Sequence, residues 1–275
     1  MLRFIKIDIT LASSHTTSLD FLGSTLRGAF GVALKAVSCL NKTEECQGCF
    51  ATQNCLYYDF FEIKNRAHAY RFSKPLHENS YNFSLYLFEA ACEKLPYVLS
   101  TLHTMFGRIG VGWNRHLIPI ERIVCNGVVV SSGKNFDLSQ IVVDVFETKE
   151  YFPDITLHFL TPLRIKSNNA LLHTTPTLEQ ILSSIFNRHN ELKGVPLAKL
   201  PFTPRYKELR THLEFQELSR YSNRQETTMH LGGMMGTIDY EDVDEHSYAL
   251  LKLGELLGVG KQTVFGLGEI KVEHQ

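Results

Sequence analysis

The sequence predicts an α+β protein made of tandem ferredoxin-like (RRM-like) βαββαβ domains, with a cysteine-rich insertion in the first. Three observations predict it. The second half of the chain reads strand, helix, two strands, helix, strand. The first half gives a looser version of the same order, broken by insertions. The last helix runs through a glycine loop, Gly258-Val259-Gly260-Lys261-Gln262-Thr263-Val264-Phe265-Gly266-Leu267-Gly268, directly into a closing strand. A chain of 275 residues is long enough for two domains that each bury a core.

In chain order, Leu2–Ile9 alternates as a strand, and the polar loop Ser13–Ser18 leads to a helix from about Leu22 to Ser38. Leu26, Ala29, Phe30, Ala33, Leu34 and Val37 share one face of that helix. After the insertion at 39–55 come a strand over Tyr81–Leu87 and a helix carrying Val98, Leu99, Leu102, Met105 and Phe106. Pro96 sits at its start or at a kink, and Gly107–Gly112 ends it. Strands are predicted at Leu117–Cys125, Val128–Ser131 and Ile141–Phe146. Residues 148–154 read as a linker, which places the domains at 1–148 and 149–275. In the second domain, Ile155–Leu160 is a strand and Leu178–Leu192 a helix with Leu178, Ile181, Leu182, Ile185 and Phe186 inward. Strands near Leu209–Arg220 and Thr227–Tyr240, a helix around Val243–Leu257 and the strand Glu269–Val272 complete it.

Composition excludes several classes. Hydrophobic (44%) and charged (21%) fractions are those of an ordinary soluble globular protein, without a long apolar run. Met1–Leu11 alternates polar and apolar residues, unlike a signal peptide, so the expectation is a cytoplasmic protein with no membrane partner. A net charge of −1 argues against a protein that coats nucleic acid and leaves room for a local basic surface.

The glycine loop strips side chains and offers backbone N–H groups, a surface suited to a phosphate or a polynucleotide backbone. A P-loop would need glycine where Glu255 stands and Ser or Thr where Gln262 stands. A dinucleotide fingerprint from Gly258 would need glycine at Thr263 and a helix afterwards. The candidate contacts are Gly258, Gly260, Lys261, Gln262, Gly266 and Gly268, although a lone lysine in a turn is more often simply solvated. Arg205, Lys207, Arg210, Arg220, Tyr221, Asn223 and Arg224 interleave cations, aromatics and amides, the mixture RNA recognition uses. Glu208, Glu214, Glu217 and Glu226 nearly balance that charge, so a solvated hairpin is the competing reading. Cys39, Cys46, Cys49 and Cys55 could close a tetrahedral structural zinc site, with an iron–sulfur cluster or four reduced thiols as alternatives. Cys92 and Cys125 sit on apolar positions and read as buried hydrophobes.

The final loop, the phrase Arg220-Tyr221-Ser222-Asn223-Arg224-Gln225 before Met229-His230-Leu231-Gly232-Gly233, and Leu26-Arg27-Gly28-Ala29-Phe30-Gly31 together resemble one family. It is the CRISPR-associated precursor-RNA-processing endoribonucleases of the RAMP superfamily, and the likeness extends over nearly the whole chain. The resemblance implies two ferredoxin-like domains, CRISPR repeat RNA as partner and metal-independent 2′-OH attack that leaves a 2′,3′-cyclic phosphate. It also implies other CRISPR-associated proteins as partners, and RNA contact for Lys261. Family members often carry a histidine on or just after the first helix; here that helix has none, and Val32 occupies one such position. The substitutes are His15 in the polar loop, then His68 between Arg66 and Arg71, then His230 beside Gly232 and Gly233. Arg27 and Lys35 are the expected phosphate partners. The alternative is a non-catalytic RAMP subunit that holds guide RNA in an effector complex.

Overall fold

In the computed structural model the described residues are 1–12, 16, 21–41, 45–131, 136–167, 170–222 and 227–275, the side chains at 167, 220–222 and 228 excepted. The chain forms two compact units, Leu2–Val145 and Phe146–Gln275 together with Met1.

In the first unit, β1 (Arg3–Leu11) alternates strictly, so Ile5, Ile7, Ile9 and Leu11 point into the core. Helix α1 (Gly23–Ser38) buries Leu26, Phe30, Ala33 and Leu34 on the face its apolar spacing predicts. The strands β2 (Tyr70–Ser73) and β3 (Phe83–Phe88) follow, then α2 (Leu95–Thr104), which has Pro96 in its first turn and packs on α1. The unit ends with β4 (Ile120–Cys125), β5 (Val128–Ser131) and β6 (Asp144–Val145). The sheet order is β2-β3-β1-β4-β5, with β6 pairing β1 as well. Its first four members give the ferredoxin-like order, with antiparallel neighbours throughout.

Strand β2 falls where no strand is predicted. All four of its residues are buried, so no alternation marks it, and it is too short to show a period. The expected strand at Ile141–Phe146 contracts to two residues, and the one from Leu117 begins only at Ile120.

The second unit opens on β7 (Ile155–Leu163), adds the small hairpin β8 (Lys166–Ser167) and β9 (Ala170–Leu171), and continues into α3 (Leu178–Leu192). A capping box starts α3: Thr177 Oγ1 accepts from the Gln180 N–H at 3.3 Å, and Gln180 Oε1 from the Thr177 N–H at 3.0 Å. Next come β10 (Lys207–Gln216), the separate hairpin β11 (Ser219–Ser222) and β12 (Thr227–His230), and β13 (Gly233–Glu241). Helix α4 (Glu245–Leu257) and β14 (Ile270–His274) finish the chain. The order β10-β13-β7-β14 is again that of a βαββαβ domain. The two long strands expected near 209–220 and 227–240 are each split, because the chain leaves the main sheet at Gln216 and returns at Gly233. Gly232 makes the return: a Cβ there would lie 2.7 Å from the Gln216 carbonyl oxygen. Among the described residues no helix is long and apolar enough to cross a membrane.

Candidate functional site

The first unit carries a shelf of aromatic rings that gathers three of the predicted residues. Arg27 and Lys35 lie two turns apart on α1. A π-helical turn, Tyr58–Glu62, and strand β2 supply the rings beneath them. The Arg27 guanidinium carbon stands 4.4 Å over the Phe61 ring, and its Nε donates to the Tyr70 hydroxyl at 3.1 Å. Lys35 Nζ is 5.6 Å from the Tyr57 ring, which stacks on Phe61 at 5.4 Å. His68 lies 5.9 Å from the Tyr70 ring, and Tyr70 stacks on Phe60 at 4.6 Å. The phrase Leu26-Arg27-Gly28-Ala29-Phe30-Gly31 acquires a physical meaning here. A Cβ at Gly31 would approach Phe61 Cε1 to 2.7 Å, so the glycine makes room for the ring that seats Arg27. Burial raises the pKa of Tyr70, against the charge and hydrogen bond of Arg27, so the phenol is neutral at physiological pH.

Two cations and an imidazole on one aromatic shelf suit charge stabilisation and proton transfer at a phosphodiester. The arginines flanking His68 do not join them. Arg66 Nη2 donates to the Asp59 carbonyl at 2.9 Å and also pairs with its carboxylate. Arg71 is 1% exposed, with its guanidinium carbon 4.7 Å over Tyr86. His15, the first candidate on sequence, lies outside the described residues. Val32 is 57% exposed on the open side of α1.

Beyond α1, Cys39, Cys46, Cys49 and Cys55 all line one cavity of about 250 Å³. Gly48 has φ +81° and the Cys49 N–H donates to the Cys46 carbonyl at 3.3 Å, a tight turn between the central pair. Burial, then Glu62, Cys39 and Cys55, raise the Cys46 thiol pKa while Lys35 opposes them. The four thiols therefore share one environment of the right donor chemistry, but among the described residues no three His, Cys, Asp or Glu groups are drawn together closely enough to hold a metal. Cys92 and Cys125 are buried, 3% and 0% exposed.

In the second unit the glycine loop wraps the end of β7. The Lys261 N–H donates to the Arg164 carbonyl at 2.8 Å, Gly268 to Pro162 at 3.1 Å, and Val259 to Gly268 at 2.8 Å. Gly260 donates to Ser184 Oγ at 2.9 Å, and a Cβ there would lie 2.5 Å from the Arg164 carbonyl oxygen. Gly258, Gly260, Gly266 and Gly268 all have positive φ. The expectation of a broadly open amide surface is thus corrected: most loop N–H groups are consumed internally, and Thr263–Gly268 is buried. What stays at the surface is Gly260, the exposed Lys261 and Gln262, the last in the left-handed region at φ +64°. Among the described residues no backbone carbonyl accepts from the amides of Gln262, Thr263 or Val264.

Arg164 is the residue that sequence reasoning missed. Its backbone bridges Gly260, and its Nη1 donates to the Gly232 carbonyl, so it joins the two glycine motifs. Burial lowers its pKa, and among the described residues no carboxylate pairs with it. The position just past a strand carries no periodic signal, and only the folded backbone brings it to both motifs. His230, at the end of β12 opposite Ser219, is exposed two residues before that carbonyl.

Of the cationic segment, Arg205, Lys207 and Arg210 are exposed at or along β10, the outer strand of the sheet. Lys207 Nζ is held by Glu241 at 2.9 Å, the solvated-hairpin alternative in part. Arg220 and Tyr221 fall on β11 with their side chains outside the described residues, and Asn223 and Arg224 lie outside them altogether.

Two ferredoxin-like units, the second closed by a glycine loop, define a RAMP-type fold. The chain is similar to the Cas6-like family of CRISPR-associated proteins. A family model described as "CRISPR-associated endoribonuclease Cas6" matches residues 157–270, and an N-terminal-domain model, AF_1859_N, matches residues 2–144. An uncharacterized protein of Archaeoglobus fulgidus is 24% identical over 272 residues, 92% of this chain and 91% of its own. Among solved structures, a "Cas6 (TTHB231) product complex" superposes with a TM-score of 0.59 at 13% identity, over 99% of both chains. "An RAMP protein binding different RNA substrates" gives 0.52 at 11%, over 99% of this chain and 100% of that one. The chain of a "Partial Cas6-RT-Cas1--Cas2 complex" gives 0.53 at 13%, over 100% of this chain and 46% of that one.

Proposed function

We propose that the protein binds CRISPR repeat RNA and cuts it by attack of a 2′-oxygen on the adjacent phosphate, yielding guide RNAs. The observation that carries this reading is the aromatic shelf holding Arg27, Lys35 and His68 together in a chain similar to the Cas6-like family. The P–O2′ bond forms as the P–O5′ bond breaks. A base takes the 2′-proton and an acid returns one to the 5′-oxygen, leaving a 2′,3′-cyclic phosphate and a 5′-hydroxyl. His68 takes a proton-transfer role, with His15 and His230 as the alternatives, and Arg27 and Lys35 offset the charge of the phosphorane. In the second unit Arg164 and Lys261 contact the RNA backbone, with the exposed Arg205 and Arg210 adding charge. A cytoplasmic location and association with other CRISPR-associated proteins belong to the same proposal.

A second reading has a specific observation behind it. Val32, 57% exposed on a helix without histidine, fits a subunit that holds guide RNA and does not cut. End-labelled repeat RNA from the host array, incubated in EDTA with wild type, His15→Ala, His68→Ala, His230→Ala and Lys35→Ala, separates them. One cut with a cyclic-phosphate end, lost in a histidine variant that still binds, supports cleavage; tight binding without a cut selects the second reading.

The proposal for the cysteines is a structural zinc bound by Cys39, Cys46, Cys49 and Cys55, supported by their shared cavity. Zinc or iron below one equivalent per chain in anaerobically purified protein would sink it. Metal content measured after the EDTA incubation keeps that question apart from catalysis.

A further inference from the structure

We propose that the turn between α2 and β4 is a stacking platform for one unpaired RNA base, with Trp113 as the platform and Arg115 as the contact to the neighbouring phosphate. The inference rests on the RNA-binding reading above and names a subsite for it.

Trp113 is 89% exposed, and it is the sole tryptophan of the chain. Leaving the largest apolar side chain in water forfeits the burial that stabilises Phe30, Phe60, Phe72, Phe88 and Phe106 in the same unit, so its place asks for an occupant. The backbone beneath it is rigid. Val111 and His116 exchange hydrogen bonds of 2.9 and 3.0 Å, and the Arg115 N–H closes the turn on the Gly112 carbonyl at 3.2 Å. Gly110 packs directly on the Arg115 carbonyl, where any Cβ would overlap it, and Gly112 has φ +78°. The indole is therefore presented from a fixed base, not from a loose loop.

Charge selects the occupant. Between Glu93 and Glu121 there is no acidic residue, in a chain whose 29 acids otherwise match its 28 lysines and arginines. Arg108, Asn114, Arg115 and His116, all within five positions of Trp113 in the chain, are exposed as well. A stretch that carries cations and no acid disfavours a mixed-charge protein partner and favours a polyanion. An exposed flat ring on that stretch suits a polyanion that carries unpaired bases, which is single-stranded RNA.

Because the chain holds one tryptophan, its intrinsic fluorescence reports on this position alone. The probes are single-stranded repeat RNA from the host array, the same RNA annealed to its complement, and dextran sulfate as a polyanion without bases. Binding is followed in parallel by filter retention. Single-stranded RNA is expected to quench the emission by more than half, with little change from duplex or dextran sulfate. Trp113→Ala is expected to weaken RNA binding about ten-fold, and Trp113→Phe to restore most of it, in line with the stacking contribution of one base. Arg115→Ala is expected to shallow the salt dependence by about one phosphate contact. RNA retained on filters with unchanged tryptophan emission and an unaffected Trp113→Ala variant would overturn the subsite and leave RNA binding standing. No RNA retention by wild type would overturn both. A concentration-dependent blue shift without RNA would assign the turn to protein association instead.

Discussion

Replacing Gly31 by alanine, with Gly28→Ala as the matched control, tests whether the aromatic shelf is a fixed seat for Arg27. Both glycines lie inside α1 and both variants gain about 1 kcal/mol of helix propensity. Gly28 is exposed, and an added methyl there would have nothing within 4 Å, so that gain is expected in full. At Gly31 the methyl would meet Phe61 at 2.7, 3.0 and 3.2 Å. A free ring would swing away, but this one is stacked on Tyr57 at 5.4 Å and covered by Arg27 at 4.4 Å, with Tyr70 at 6.1 Å. Displacing a packed ring costs about 1–3 kcal/mol. The two variants should therefore differ by about 1–3 kcal/mol, with Gly31→Ala between neutral and about 2 kcal/mol less stable than wild type. Urea unfolding of both variants measures the difference, and RNA affinity should fall only for Gly31→Ala. Equal stabilisation of the two would refute the reasoning, because Phe61 would then be free to move and could not position Arg27.

Three further outcomes follow from the same structure. Gly268→Ala, at φ +69° with its Cβ position overlapping the Val259 carbonyl, should lose about 2–5 kcal/mol by thermal or urea unfolding, the sum of left-handed strain and overpacking. Burial pushes the Cys92 and Cys125 thiols from an ordinary 9.0 up to about 12, so the unfolded chain ionises first; the stability they confer is complete below pH 9 and lost as pH rises toward 12, at most about 1.4 kcal/mol per pH unit per thiol. Cys125→Ala should flatten that alkaline limb in a pH series of urea midpoints. Burial raises the carboxyl of Asp244, but donors from Arg205, Ser247 and His246 outweigh it and hold the pKa below its usual value. Asp244→Ala should remove the α4 cap, costing about 1–2 kcal/mol at neutral pH, with a smaller penalty as pH falls through the carboxylate range, where wild type loses the same contribution.

The elements legible in the sequence were those whose own residues carry a period. Helix α3 runs over the expected Leu178–Leu192, and α1 begins one residue after the expected Leu22, because a long amphipathic stripe leaves little freedom. Strand β2 was illegible because burial on both faces erases alternation, and the hairpin β11–β12 was hidden inside two apparently continuous strands. At the site, Arg27, Lys35 and His68 were each visible as candidates by residue type, whereas their meeting on one shelf was not. The engagement of Arg66 by Asp59 and the burial of Arg71 were equally out of reach, since each depends on a partner outside its own local pattern.

By itself, then, the sequence determined the βαββαβ order of the second domain and a looser version of it in the first, the glycine loop between helix and strand, and the inventory of cations, rings and thiols. Local periodicity and turn chemistry encode those directly. Only the tertiary structure decided which backbone the glycines press against, that Arg164 joins two glycine motifs lying far downstream of it in the chain, and that Trp113 stands in solvent. Those are long-range contacts or their absence, and no short window of residues records them.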